Sequence, residues 1–395
     1  MKYFDNSATT PLAPEVKESI QHYMDWTYGN PSSPYHEGRM AKKALQAARS
    51  TIADLIGAKN ADEENPGEVF FTSSGTESDN LAILGSLAAR RDNRKHCITS
   101  SIEHPAVLNT FRYLETQGYH VDYLPVDRQG NINPDDLAKA LDNETALVSI
   151  MMANNEVGTV QPIQLMADMA HQYGSLFHTD AVQALGKLTL NTAELGIDLM
   201  SLSAHKIYGP KGIGALYVKE NTPLINIMHG GHQENGIRPG TENMLGIVGF
   251  AKACELLQGT IEMEARQKER LALRLSQGLQ ESIPDIELNG NPHSKIPGHV
   301  HVTFRFVEGE ALLMALNLKE IACSSGSACS TGSNLPSHVL LAMGFDYLDA
   351  QSSIRFTVGR YNTADEIDEL LRDIPVIVQR LRAMSPLARH RSRER

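Results

Sequence analysis

Cysteine is scarce in this chain of 395 residues: there are four, at positions 97, 254, 323 and 329. So few, so widely scattered, cannot build the disulfide framework of a secreted protein. A reducing compartment is therefore expected, with any special thiol doing chemistry rather than cross-linking. Positive charge is also short. Lys and Arg number 36 against 47 Asp and Glu, a formal net charge of −11, which argues against direct binding of nucleic acid or of an acidic membrane. No apolar run reaches the roughly 18 residues that a bilayer span needs, and the opening Met-Lys-Tyr-Phe-Asp-Asn lacks the apolar stretch of a signal peptide. The expectation is a soluble, cytoplasmic protein. Internal repeats are missing too, and low complexity is confined to the basic tail 388–395, expected to be a frayed terminus. What remains is an ordinary globular balance, 41% hydrophobic and 21% charged, which excludes a largely disordered chain. The length exceeds what one core usually serves, so two core-bearing units are expected.

From about residue 68 to 220 short β-rich runs alternate with helical periodicity. Residues 68–72, 96–100, 120–124, 146–151, 175–179 and 199–203 read as strands, and 77–90, 106–117, 134–141 and 163–173 as helices. Alternation of this kind builds a mostly parallel sheet covered by helices on both faces, with chemistry at the carboxyl ends of the strands. A long helical pattern over 244–282 follows, with a break expected near Gly259. The rhythm then changes to strand 300–306, helix 308–316, a Ser/Gly/Asn-rich stretch, strand 353–358 and helix 363–384. The organisation expected is a large α/β domain over 15–260 and a smaller α+β domain formed by 1–14 and 261–395.

Lys206, in Ser203-Ala204-His205-Lys206, lies just beyond a strand end, ahead of a turn rich in glycine. It is either a surface residue or a Schiff-base lysine, whose amine becomes nucleophilic when desolvated. Asp180 stands at another strand end, 26 residues earlier. A carboxylate and a lysine so arranged suit pyridoxal phosphate, the first holding the pyridinium nitrogen protonated and the second making an imine. Upstream, Thr72-Ser73-Ser74-Gly75-Thr76 passes from a strand into a helix and aims backbone N–H groups at an anion. His104, after the strand 96–100, is either structural or a catalytic residue, a flat ring able to stack on a flat cofactor and, with a near-neutral pKa, to transfer protons. Cys97 and Cys254 sit in apolar patterns and read as core residues, and Cys323 ends a short apolar run. Between Cys323 and Asn334 every residue is small, so few contacts are available, and a mobile loop carrying an exposed Cys329 is expected.

With these residues in view, the sequence resembles the cysteine desulfurases of the class V aminotransferase family, in its NifS/IscS-like subgroup. The resemblance extends from Tyr3-Phe4-Asp5-Asn6 to Ser385-Pro386-Leu387, and is most specific over 203–214 and 324–330. Asn154-Asn155-Glu156-Val157-Gly158 and Arg238-Pro239-Gly240-Thr241 add to it. It implies the type I fold of pyridoxal-phosphate enzymes. It further implies that Lys206 forms the imine with the cofactor, Asp180 pairs with the pyridine nitrogen, Gln183 bonds the phenolic oxygen and His104 stacks on the ring. Gly75, Thr76, Ser203 and His205 would hold the phosphate, with Thr241 reaching in from the other subunit of a homodimer. Asn155, which would also contact the cofactor, and Arg355 would bind the substrate carboxylate, a task suited to the planar guanidinium fork. Cys329 would take sulfur from L-cysteine as a persulfide, leaving L-alanine, and pass it to an acceptor protein for iron–sulfur cluster assembly or another thiolation. No resident metal is implied.

Three other readings compete. A selenocysteine lyase or an ordinary aminotransferase of this fold needs no cysteine on such a loop. A non-catalytic sulfur-relay protein has no need of Lys206, Asp180, His104 and Arg355 together.

Overall fold

The computed structural model describes residues 1–60, 67–325 and 335–386. Among these, twelve strands form three sheets. The largest has seven: β2 (Val69–Thr72), β3 (His96–Ser100), β4 (His120–Leu124), β5 (Thr145–Ser149), β6 (Leu176–Asp180), β7 (Leu199–Ser203) and β8 (Gly214–Val218), in the spatial order β2-β8-β7-β6-β5-β3-β4. Only β8 runs against its neighbours. The other pairs are parallel, as expected of strands joined by helical crossovers. In β3, β5, β7 and β8 every residue is buried, because helices cover both faces of the sheet.

The helices announce their ends chemically. Pro14 opens Pro14–Trp26, where its missing N–H costs nothing. Gly57, at φ +68°, closes His36–Ile56 by taking the left-handed conformation that lets the last amide turn back. These two helices join Met244–Glu255 over the sheet's largest hydrophobic cluster, which includes Val16, Ile52, Phe177, Met200 and Phe250. The long helical pattern breaks as expected: Met244–Glu255 and Ile261–Ser282 are separate helices, with Gly259 at φ +71° between them.

A second cluster gathers Phe4 with residues from 271 to 378, among them Leu275, Phe304, Phe356 and Leu370. It backs a three-stranded antiparallel sheet of β9 (Ile286–Asn289), β10 (His299–Phe304) and β12 (Ser353–Thr357), with β10 central. The short β1 (Lys2–Tyr3) pairs in parallel with β11 (Ile321–Ala322), and Asp5 bridges to Thr357. The first residues of the chain are thereby stitched to its last third. No helix among the described residues is long and apolar enough to cross a membrane.

Candidate active site

The carboxyl ends of β2, β3, β6 and β7 carry four of the residues singled out by sequence. Asp180 ends β6 and is buried, its Oδ1 accepting a hydrogen bond from the Val182 amide at 2.9 Å. Burial pushes its carboxyl above the ordinary range, against the fields of His104 and Lys206, which favour the anion. Next to it, β7 ends in a single 3₁₀ turn, Ala204–Lys206. The Lys206 amine donates to the carbonyls of Ser7 at 2.5 Å and Ala8 at 2.7 Å. Gln183 reaches the same Ser7 carbonyl through Nε2 at 2.9 Å. Lys206 and Gln183 therefore converge on one point, although 23 residues separate them.

His104 caps the helix Pro105–Thr116, its Nδ1 accepting the Ala106 N–H at 3.1 Å. Burial lowers its pKa, so the ring is neutral with its proton on Nε2. His205 is likewise kept neutral, its pKa lowered to about 4 by burial and by the positive charges of Lys206 and Lys211. Its ring meets Thr9 Oγ1 at 3.2 Å.

A helix starts at Gly75, directly after β2, with Ser74 capping it through a bond from the Glu77 amide at 3.1 Å. It continues through a π turn at Leu81–Gly85 to Ala89. A Cβ on Gly75 would lie 2.7 Å from Val182 Cγ2 and 3.7 Å from Ser203 Cβ. Only glycine lets this turn approach the ends of β6 and β7 so closely. The helix start, whose first amides lack intrahelical acceptors, thus meets Ser203 and the residues after Asp180. An anion-binding helix start, a buried carboxyl and a lysine amine at neighbouring strand ends are the donor set that pyridoxal phosphate requires, so the residues present fit that cofactor. Thr241 is exposed on the outer side of this helix start, sharing a depression with Thr72, Ser73 and Arg238. Arg238 ties its loop to the helix through Glu77 at 2.9 Å.

Arg355, on β12, is brought to the site from the second cluster. Its side chain is 2% exposed and bonds Asp5 Oδ1 at 2.7 Å and the Asn155 carbonyl at 2.8 Å. The backbone of Arg355 also exchanges two hydrogen bonds with Ser324, at 2.6 and 3.2 Å. On the far side of the small-residue stretch, Ser337 bonds the Glu156 carboxyl and caps the helix His338–Ala342. Cys329 and the loop expected to carry it lie outside the described residues. Cys323 packs against the second cluster, and burial pushes its thiol well above the usual range.

Two buried carboxyls and one half-buried lysine escaped the sequence reading. Glu103 is fully buried, accepting bonds from the Met151 amide and from Ser100 Oγ, and burial pushes its pKa to about 8. Asp79 lies 3.7 Å from His178 Nε2, its carboxyl raised by burial and by Asp180. Lys187, its pKa driven well down by burial, donates to Gln183 Oε1 at 2.6 Å. That bond fixes which end of the Gln183 amide faces Ser7 and Lys206.

The profile of the aminotransferase class V family matches residues 2–370. The chain is similar to a protein named cysteine desulfurase IscS from Methanosarcina thermophila, 50% identical over 385 residues, which are 98% of this chain and 94% of that one. It is similar also to a cysteine desulfurase of Trichormus azollae, 49% identical, with 97% and 94% covered. Among solved structures, a NifS-like protein superposes with a TM-score of 0.89 at 36% identity, covering 96% of this chain and 100% of its own. Another, described as SspA in complex with cysteine, gives 0.80 at 36% identity, with 92% and 100% covered.

Proposed function

Because the chain belongs to the class V aminotransferase family and has the type I fold of its NifS-like relatives, we propose that it is a pyridoxal-phosphate-dependent cysteine desulfurase. Its reaction is L-cysteine plus the Cys329 thiol giving L-alanine plus a Cys329 persulfide. The observation that carries this reading is the convergence of Lys206 and Gln183 on the Ser7 carbonyl, beside a buried Asp180.

Pyridoxal phosphate, when bound, supplies a carbonyl that condenses with amines and a ring that accepts the electron pair of a deprotonated carbon. Gly75, Thr76, Ser203 and His205 would hold its phosphate, with Thr241 contributed by the second subunit of a homodimer. Asp180 would keep a proton on the ring nitrogen, Gln183 would donate to the phenolic oxygen, and the neutral His104 ring would lie against the ring face. The Lys206 amine, released when substrate takes its place, accepts the Cα proton at Nζ. Asp5 and the Asn155 carbonyl hold the Arg355 guanidinium in position for the substrate carboxylate, with Asn155 beside it. Cys329 reacts as the thiolate. Its sulfur bonds the substrate sulfur as the Cβ–S bond breaks. The electron pair stays with Cβ, which gains a proton to become the methyl of alanine. Ser324, paired with the Arg355 backbone, precedes Cys329 by five residues, which supports delivery of that thiol to this site.

The same proposal includes a large cofactor-binding domain ending near residue 260 and a smaller domain carrying the Cys329 loop, supported by the separation of the two main hydrophobic clusters. It also includes a cytoplasmic location and a sulfur-acceptor protein as partner. The test is a single turnover with L-cysteine and no acceptor. Wild type and Cys323→Ser should yield one alanine per persulfide, with the extra sulfur on Cys329. Cys329→Ser should stay yellow and yield none, and Lys206→Ala should lose the borohydride-reducible lysine adduct. Full alanine production by Cys329→Ser, or sulfur found first on Cys323, would overturn the mechanism.

A further inference from the structure

The opposite end of the large sheet carries a second concentration of chemistry. His96 and His120 open β3 and β4 and stand directly across from one another in the parallel pair, with Asp122 two residues further along β4. They sit at the amino ends of the strands, while Asp180 and Lys206 belong to the carboxyl ends. The two imidazoles stack with centroids 5.2 Å apart. His96 Nε2 lies 3.1 Å from one Asp122 oxygen, and His120 Nε2 lies 3.4 Å from the other. One donor atom from each of the three residues falls within 4.8 Å of the other two. A tetrahedral ion bound at about 2.0–2.2 Å by nitrogen and oxygen holds its ligand atoms roughly 3.3–3.6 Å apart, close to the separations of the Asp122 oxygens from the two imidazole nitrogens.

The far side of His96 supplies an independent observation. Its Nδ1 faces Thr145 Oγ1 at 2.8 Å and Asp142 Oδ1 at 3.1 Å. A histidine that donates its Nδ1 proton to a carboxylate presents a lone pair at Nε2, which is how metal-bound imidazoles are oriented and made more basic. With the Nδ1 proton directed at Asp142 and Thr145, the Nε2 lone pair lies 3.1 Å from an Asp122 oxygen, a separation that a shared cation would bridge. Access also suits an ion arriving from solution. The His96 side chain is 6% exposed and forms the floor, while Asp122 at 41% and His120 at 74% form an open wall. The strand β4 is an edge of the sheet, so the remaining coordination positions face water.

We propose that His96, His120 and Asp122 bind a divalent transition-metal ion of the zinc class. Two imidazoles and one carboxylate suit Zn²⁺ and its neighbours rather than Ca²⁺ or Mg²⁺, which prefer oxygen alone. Held there, the ion clamps the edge strand to β3 and stabilises the fold by mass action. The sequence concealed the site because its ligands lie on two strands, far apart in the chain, in none of the spacings that mark a metal motif.

The test is a Zn²⁺ titration of the pyridoxal-phosphate-loaded protein, followed by calorimetry and thermal melting. Wild type should bind one more equivalent than His120→Ala and show a zinc-dependent rise in melting temperature that His120→Ala lacks. Asp122→Asn should weaken that equivalent at least tenfold. Alanine production without added metal should be the same in all three proteins, since neither residue belongs to the desulfurase site. Equal stoichiometry and affinity in wild type and both variants would overturn the proposal. It would assign any zinc bound to the cysteines.

Discussion

Glu103 immediately precedes the histidine of the site and is fully buried, and its carboxyl accepts bonds from Met151 and Ser100, with no cationic partner among the described residues. Burial therefore dominates, and its pKa rises from the ordinary 4.5 to about 8. The sign of the linkage follows. Between pH 4.5 and 8 the folded protein holds a proton that the unfolded chain has released. This group's contribution to stability is thus fully present below pH 4.5 and is lost as pH rises to 8. Glu103→Gln keeps the neutral shape and abolishes the titration. Relative to wild type, the variant should gain stability with rising pH across that window, by up to about 1.4 kcal/mol per pH unit. Denaturant unfolding at pH 5.5, 6.5 and 7.5 measures the difference. A gap between the two proteins that stays constant with pH would show that Glu103 does not carry this proton.

At the scale of elements, the helix that starts at Gly75 is decided by two residues. Ser74 caps it, and Gly75 lets it come against Val182 and Ser203. The expected start was Glu77, because hydrophobic periodicity begins there; the cap and the first turn carry no apolar signal, so the helix begins two residues earlier. For the same reason β3, β4 and β7 match their expected limits, since their strand runs are long and bounded by turns. The two-residue β1 and β11 exist through pairing with a distant partner, which no local pattern encodes. The site divides in the same way. Lys206, Asp180, His104 and Gly75 could be singled out because each stands at a strand end or next to one, while Gln183 came only from the family resemblance. Glu103, Asp79 and Lys187 could not be, because their importance comes from burial and from neighbours contributed by other strands. Gly75→Ala should force Val182 aside, since its branched side chain has little freedom to yield. Affinity for pyridoxal phosphate, read by absorbance titration, should fall at least tenfold, with the melting temperature of the cofactor-free protein lowered only slightly. Unchanged affinity would detach this helix start from phosphate binding.

Taken as a whole molecule, the single chain covers its sheets but leaves apolar side chains outside. Trp26 is 73% exposed and Tyr28 84%, with Met24, Tyr35 and Met40 also exposed on the same stretch from the end of one helix into the next. Ile225, Ile227 and Met228 are exposed on the loop leading towards Thr241. Apolar surface gathered in this way marks an interface more often than free surface. The proposed homodimer, in which Thr241 serves the neighbouring subunit's phosphate, provides a reason for it. Trp26 is the only tryptophan in the chain, so its fluorescence reports this surface alone. At micromolar concentration, where sedimentation should find a dimer, its emission should be that of a shielded indole, poorly quenched by iodide. Dilution to monomer should shift the emission to longer wavelength and restore quenching, and cofactor affinity should fall in parallel as each site loses its borrowed Thr241. Trp26→Ala should weaken the dimer by more than tenfold in dissociation constant, because a large buried aromatic ring is a frequent anchor of such interfaces. An active monomer at micromolar concentration would refute the shared site. A stable dimer in which Trp26 remains freely quenched would move the interface to another face of the molecule.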